Sequence, residues 1–111
     1  MSAPYASENR LAVLINKSTQ AIAEIIAAPG GGKRIAIDFL ILNPSGGANV
    51  VTLTGNIAVP FGLNDNQELK LENSIHAPLG IFPVDDNQAF SLTLGSPTQV
   101  EGYGLYRIVG Q

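Results

Sequence analysis

The amino-acid sequence predicts an all-β fold, a single antiparallel β-sandwich or jelly roll of about eight short strands. Three observations support this: apolar or alternating runs of strand length, closely spaced Gly, Pro, Asn and Asp turns between them, and no amphipathic helix of ordinary length. The length of 111 residues fits one domain. We expect residues 11–111 to form that domain and residues 1–10 to be a flexible N-terminal arm.

The first half of the chain contains four predicted strands. Residues 11–15 are a short apolar run. Residues 21–26 are a second, which its alanines leave ambiguous between strand and helix and which we interpret as a strand. Residues 34–42 are rich in β-branched and aromatic residues and lie between glycine- and proline-containing turns, which predicts the central strand of a sheet. Residues 49–54 follow.

The second half contains the remaining predicted strands. Residues 68–72 and 89–94 alternate apolar and polar residues, as half-buried strands do. Residues 102–109 form the last predicted strand. A short piece near residues 81–82 brings the total to about eight, at a spacing typical of a sandwich or jelly roll.

The composition is poor in charge. Charged residues make up 14% of the chain, against about 25% in an average soluble protein. A domain that cannot cover itself with charge commonly hides part of its surface against another subunit, which favours a homo-oligomer. The alternative, a monomer coated in Ser, Thr, Asn and Gln, stays open.

Several partner and cofactor classes are disfavoured by the same composition. A net charge of -3 argues against a nucleic-acid binder, which needs a basic stripe. The chain has no cysteine, so it has no disulfide, no thiolate nucleophile and no cysteine-based zinc site. We find no signal peptide or membrane-spanning run in the sequence, and we predict no cofactor, no metal and no membrane partner.

Two features of the sequence resemble phosphate-binding or catalytic motifs. The glycines before Lys33 suggest a phosphate loop, but Ala27 replaces the required glycine and Arg34 the required Ser or Thr, so we interpret the segment as a turn. His76 is the only histidine, and no local Ser, Thr or carboxylate identifies a triad with it. The sequence therefore predicts a protein that is not an enzyme.

The tripeptide Asp-Asn-Gln occurs twice, each time directly before an alternating strand, which is a weak internal repeat. The first copy begins at Asp65 and the second at Asp86, and Asp85 precedes the second copy. The simpler interpretation is two equivalent turns, since Asx side chains bond the neighbouring backbone. The alternative is a calcium or glycan site built from Asp65, Asp85 and Asp86. These three residues are the candidate ligand loops.

Two tyrosines in the last predicted strand are candidate interface residues. Tyr103 and Tyr106 are an odd number of positions apart, so in a regular strand they face opposite sides and one ring reaches the surface or an interface. The alternative is a core tyrosine whose hydroxyl emerges at the sandwich edge. Tyr5 and Arg10, in the predicted arm, are the other candidate interface residues.

The order of strands and turns resembles small virion proteins of tailed bacteriophages. The resemblance rests on residues 27–37, residues 50–54, residues 88–94 and the final strand at residues 102–108, and residues 61–83 depart from it. It implies a β-sandwich capsid decoration (cement) protein or, failing that, a head-tail or fibre component. It further implies synthesis in the host cytoplasm and a place on the capsid surface, as a trimer or other oligomer bound to the major capsid protein or another virion protein.

Three functional hypotheses follow. The first is a structural virion protein that binds and reinforces a viral shell, with residues 1–10 as a contact element. The second is a small ligand- or receptor-binding module, lectin-like or from a tail or fibre, that uses the loops of Asp65, Asp85 and Asp86. The third, an enzyme, is disfavoured by the shortage of His, Cys and paired acids.

Overall fold

The computed structural model describes residues 10–110, and it confirms the all-β fold class. No helix occurs in this range. The predicted arm, including Tyr5, lies outside the described residues except for Arg10. The eight strands are β1 (Leu11–Lys17), β2 (Ala23–Ile26), β3 (Lys33–Ser45), β4 (Asn49–Thr54), β5 (Ala58–Leu63), β6 (Leu69–Glu72), β7 (Phe90–Leu94) and β8 (Gln99–Gly110).

The strands form two four-stranded sheets. The first sheet has the order β1-β8-β3-β6 and the second has the order β2-β7-β4-β5. All of these strand pairs are antiparallel. The pairs β4–β5, β3–β6, β2–β7 and β1–β8 are nested within one another along the chain, which is the strand arrangement of a jelly roll.

The core lies between the two sheets and follows from the alternation in the sequence. In β7, Phe90, Leu92 and Leu94 are buried while the residues between them are half-buried. In β4, Val51 and Leu53 are buried in the same way. Because successive side chains of a strand point to opposite faces, each of these strands gives one face to the core.

Two strand predictions are wrong, and both errors have a physical reason. β5 was not predicted because Pro60 and Gly62 are uncommon in strands. Pro60 is tolerated because β5 lies at the edge of its sheet and pairs only with β4. The predicted piece at residues 81–82 is a loop, and Phe82 is apolar because it is buried against Phe90, not because it belongs to a strand.

A β-bulge in β3 determines the direction of its side chains. Ile37 pairs with Tyr106 and Phe39 with Leu105, so Asp38 is an extra residue between them. Before the bulge the core-facing residues are odd-numbered, and after it they are even-numbered. The bulge brings the Asp38 carboxylate to Arg107, on the side of the first sheet that faces away from the core.

The two Asx-containing segments form turns of the same construction. The amide of Gln67 donates to the carbonyl of Asn64, and the amide of Gln88 donates to the carbonyl of Asp85. In each turn the third residue is an asparagine with positive φ, 60° at Asn66 and 52° at Asn87. Asparagine adopts this left-handed conformation more readily than most residues, which explains why the sequence repeats there.

Candidate interaction surface

The outward faces of the two sheets differ in chemistry. On the second sheet, the outward residues of β4 and β7 bear hydroxyl groups at Thr52, Thr54, Ser91 and Thr93, and the apolar exception among them is Val50, which is 47% exposed. The outward residues of the edge strand β5 are Ala58, Pro60 and Gly62. An antiparallel sheet with one buried face commonly presents such a polar face to water. The first sheet instead carries large apolar side chains on its outward face.

The register of β1, β8 and β3 aligns these apolar residues in two rows, because directly opposed residues share a face of the sheet. One row contains Leu14, Tyr103 and Ile41. The next row contains Ala12, Leu105 and Phe39. We call these six residues the outer patch.

The outer patch is exposed to solvent along β1, and its aromatic side chains pack against each other at its centre. Leu14 has 85% of its surface exposed, and Tyr103 has 41%. The rings of Phe39 and Tyr103 lie with their centroids 5.5 Å apart at an interplanar angle of 32°. Tyr103 is therefore held against Phe39 and still presents part of its ring outward.

Polar residues of different charge border the outer patch at its two ends. At one end, Asn16, Glu101 and Asn43 form the next row, with Glu68 beside them. At the other end Arg10 lies against Asp38. A shallow depression of about 530 Å³ lies at the glutamate end and one of about 210 Å³ lies at the Arg10 end.

The Arg10 end contains a buried ion pair. Asp38 is 5% exposed and Arg107 is 6% exposed. Arg107 donates from Nε to Asp38 Oδ2 at 2.6 Å and from Nη2 to Oδ1 at 2.9 Å, a bidentate contact. Arg10 donates from Nε to Oδ2 at 3.2 Å, and its own side chain is half exposed. Arg107 in β8 and Arg10, directly before β1, therefore share one carboxylate.

The same carboxylate fixes the loop after β6. The Asn73 side chain donates to Asp38 Oδ1 at 2.8 Å, and the Asn73 backbone amide donates to the Asp38 carbonyl at 2.8 Å. Arg107 Nη2 donates to the carbonyls of Ala77 and Pro78 at 3.4 and 3.2 Å. The loop is thus tied to the ion pair, and no buried side-chain nitrogen or oxygen among residues 10–110 lacks a hydrogen-bond partner.

The pKa of Asp38 is lowered from its ordinary value. Burial alone would raise it, because desolvation disfavours the charged form. The hydrogen bonds from Arg107 and Asn73 outweigh the burial, and the positive charges of Arg107 and Arg10 add to them. Asp38 is therefore ionised at neutral pH, as a partner for arginine must be.

The candidate interface residues from the sequence lie in different places. Tyr103 belongs to the outer patch, whereas Tyr106 is on the opposite side of β8 and packs against the core. Arg10 borders the outer patch through its contact with Asp38. Tyr5 is outside the described residues.

The structure does not bring the candidate ligand loops together. Asp65 lies near the C-terminal end of β3, where its Oδ1 accepts hydrogen bonds from the amides of Gly46 and Gly47 at 3.0 and 3.1 Å. Asp85 lies near the N-terminal end of β3, where its Oδ1 is 3.5 Å from Arg34 Nη2. Asp86 is exposed beside it. The 13 residues of β3 span about 40 Å, so a calcium or glycan site built from all three aspartates is wrong.

The other sequence motifs do not assemble a reactive centre in the described range. His76 is exposed, in a loop position with φ of 55°. The glycine segment before Lys33 forms a turn in which the Lys33 amide donates to the Gly30 carbonyl at 3.1 Å. Within residues 10–110 no group of three or more His, Cys, Asp or Glu is arranged to hold a metal ion. None of these residues forms a helix long and apolar enough to cross a membrane.

Most residues of the outer patch, and the Asp38–Arg107 ion pair, were not predicted from the sequence. The available signal for the patch was residues 34–42, where apolar residues continue at both odd and even positions instead of alternating. A strand that is apolar on both faces indicates that its second face is also covered. The ion pair left no local signal, because Asp38 and Arg107 are 69 positions apart in the chain.

Comparison with known proteins identifies no relative: no family model, no curated protein and no solved structure matches the chain.

Proposed function

We propose that this protein is a non-enzymatic structural protein of a virus particle, a capsid decoration protein that binds and stabilises a phage head as a homo-oligomer. Its partner is the major capsid protein or another virion protein, and its location is the capsid surface. The bacteriophage resemblance in the sequence suggests this role and by itself favours a trimer, whereas the shape and border charges of the outer patch favour a two-fold pair.

The single observation that carries the proposal is the contrast between the two outward sheet faces. The second sheet presents the hydroxyl groups of β4 and β7 with single exposed apolar residues such as Val50, whereas on the first sheet the six apolar residues of the outer patch are aligned in two adjacent rows, with Leu14 and Tyr103 exposed. Exposed contiguous apolar surface is typical of a protein-binding site. A jelly roll by itself selects no function, because viral capsid proteins, lectins and cupins share it.

The alternative of a ligand- or receptor-binding module has less support. It depended on the aspartate loops, and these lie at opposite ends of β3. The carboxylate of Asp65 is moreover engaged in bonds to two backbone amides. No arrangement of described residues favours this function over the first.

The test is electron microscopy of the purified protein mixed with particles of the virus that encodes it, prepared without the protein. We expect a regular lattice of added density on the capsid and a higher temperature of capsid disruption. Density confined to the tail would favour a head-tail or fibre component. No added density, with unchanged capsid stability, would contradict the proposal.

A further inference from the structure

We propose that the outer patch binds the outer patch of a second copy of this chain, face to face, about a two-fold axis that runs across the strands. This inference rests on the homo-oligomer of the proposed function and names its interface, but self-association of this face requires no viral shell. Its evidence is the size of the face and the arrangement of charges around it.

The size of the face fits a protein partner. Four strands at about 4.8 Å spacing make it roughly 19 Å wide, and the seven residues of β1 span about 23 Å, which gives a flat area of roughly 440 Å². Where β3 and β8 extend beyond β1, the loop after β6 covers their outward face, so that Ala36 and Arg107 are buried. The free face therefore keeps this flat area, and its projecting side chains raise its accessible surface towards the roughly 800 Å² that each partner contributes to a standard interface. A sheet face of this shape packs well against a second sheet, at a separation of about 10 Å.

The charges at the border identify that second sheet as a copy of the same one. Glu101 and Glu68 lie at one end of the outer patch and Arg10 lies at the other. Along β6, Lys70 shares the row of Ile41, and Glu72 shares the row of Phe39. Glu101 therefore has a positive counterpart displaced along the strand direction, Arg10, and Glu72 has one in Lys70, whereas Glu68 has none.

These charges also select the orientation of the axis. In a face-to-face dimer the two-fold axis lies in the plane of the interface. An axis parallel to the strands would place equal ends together, so that the glutamate ends of the two copies meet. An axis across the strands exchanges the ends, so that Glu101 lies near Arg10 of the other copy and Lys70 lies near Glu72. Opposite charges then meet at both borders, which is the complementary arrangement.

The outer patch is also preorganised for association. Its centre is carried by β3 and β8, which are interior strands of the sheet. The Asp38–Arg107 pair and its bonds to Asn73 hold the border at the Arg10 end. A surface that is already ordered loses little conformational entropy when it binds.

The first experiment measures mass by sedimentation equilibrium across a wide dilution range, using the full chain. We expect twice the 11.6 kDa chain mass. Leu14→Glu should raise the dimer dissociation constant at least about 100-fold, because it buries two unpaired carboxylates in the interface. Ile57→Glu is the matched control, since Ile57 is 56% exposed in the β4–β5 turn of the second sheet, and it should leave the constant unchanged.

The second experiment tests the orientation. Glu101→Arg places a positive charge near Arg10 of the other copy and should weaken the dimer about tenfold at low salt, with a smaller effect at high salt. Because the chain contains no cysteine, Leu14→Cys provides a single thiol for a short bis-maleimide linker. Two-fold pairing brings the two copies of this thiol to one interface, so the linker should join most chains into covalent dimers even in dilute solution.

Several results would overturn the pairing. A mass of one chain at all concentrations would indicate that the patch is bare or covered by residues 1–9 of the same chain. A trimer, or a Leu14→Cys protein that forms no covalent dimer, would indicate contact between unlike surfaces. A dimer that Ile57→Glu disrupts and Leu14→Glu does not would place the interface on the second sheet. A dimer that forms normally but does not bind the virus particle would leave this pairing intact and contradict only the proposed function.

Discussion

At the level of single residues, Asp38 has the environment with the largest energetic consequence. It is almost fully buried, and its carboxylate receives hydrogen bonds from Arg107, Arg10 and Asn73. A buried ion pair is not necessarily more stabilising than an apolar pair of the same volume, but removal of one partner leaves the other charge without compensation. The loss of Asp38 or of Arg107 should therefore destabilise the fold by more than the free energy of the contacts between them.

Asp38→Asn should lower the free energy of unfolding by about 3 kcal/mol at neutral pH, because Arg107 then keeps its charge in a buried site without a carboxylate. Denaturant unfolding followed by circular dichroism measures the change. Asp86→Asn makes the same chemical change at an exposed position and should stay within about 0.5 kcal/mol of the unsubstituted protein. Equal stabilities of the two variants would contradict the assigned role of Asp38.

The stability contribution of Asp38 should also depend on pH in a defined direction. The pKa of Asp38 is lowered in the folded protein, while in the unfolded chain it is about 3.9. The contribution is therefore complete above about pH 5 and is lost as the pH falls through the folded pKa. The stability difference between the unsubstituted protein and Asp38→Asn should stay constant from about pH 7 to pH 5 and shrink below about pH 4. A difference that grows on acidification would have the wrong sign.

Asn49 is a second buried polar residue, and it joins two elements. Its Nδ2 donates to the carbonyls of Ser96 and Thr98 at 3.0 Å each, and its Oδ1 accepts from the amides of Gly95 and Ser96 at 3.0 Å each. One amide group thus satisfies four backbone groups of the β7–β8 turn. This turn determines how β7, in the second sheet, continues into β8, in the first.

Asn49→Ala should lower the free energy of unfolding by about 3 kcal/mol, because it removes four hydrogen bonds and deprives the part-buried backbone groups of Ser96 and Thr98 of this partner, although the Gly95 amide keeps its bond to the Val50 carbonyl. Thermal and denaturant unfolding measure the loss. Asn56→Ala, at an exposed asparagine in the β4–β5 turn, is the control and should change the stability by less than about 0.5 kcal/mol. If water entered the site and satisfied these groups, the two variants would be similarly stable, contrary to this expectation.

At the level of elements, β8 is the strand on which the first sheet depends. It pairs with β1 on one side and with β3 on the other. At Gly102 the two backbones of β8 and β3 approach so closely that a Cβ atom would overlap the carbonyl oxygen of Ile41. An interior strand cannot move away from such an overlap without losing hydrogen bonds on both sides.

Gly102→Ala should therefore cost at least about 3 kcal/mol of stability or prevent folding, since it forces backbone displacement in the interior of the sheet. Gly62→Ala is the matched control, because a Cβ atom at Gly62 on the edge strand β5 meets nothing within 4 Å. Soluble yield and the midpoint of thermal unfolding distinguish the two variants. A Gly102→Ala protein as stable as Gly62→Ala would indicate that β3 and β8 adjust more freely than their packing implies.

The sequence predicted most strands because turn residues and alternation are local properties. β4 is found at its predicted bounds, and the ambiguous segment at residues 21–26 contains β2. β5 could not be predicted locally because Pro60 is compatible with a strand only at the edge of a sheet, and which strand lies at the edge depends on the whole topology. The bulge at Asp38 was hidden for a similar reason, since an extra residue is defined only by the partner strand.

At the level of the whole molecule, the outer patch shows the limit of sequence analysis. The low charge content predicted that part of the surface is covered by another subunit, but composition does not identify which sheet face forms that interface. That face is defined by the register of β1, β8 and β3, and the residues of these strands are far apart in the chain. The spacing of tyrosines in the last strand identified Tyr103 as a candidate interface residue. Leu14 and Leu105 can be assigned to the same surface only once the strand register places them next to Tyr103.

The nested strand pairs also have a consequence for the order in which the chain folds. The β4–β5 hairpin joins neighbouring strands, and β3–β6, β2–β7 and β1–β8 enclose it in turn. Because closing a long loop costs more entropy than closing a short one, each outer pair forms at least cost after the pair inside it. We therefore expect Val59→Ala, in β5, mainly to slow folding, and Val13→Ala, in β1, mainly to speed unfolding. Both valines pack against the core, so they form a matched pair. Stopped-flow measurement of the folding and unfolding rates of the two variants tests this order. If both substitutions changed the two rates equally, the strand pairs would form together in one step.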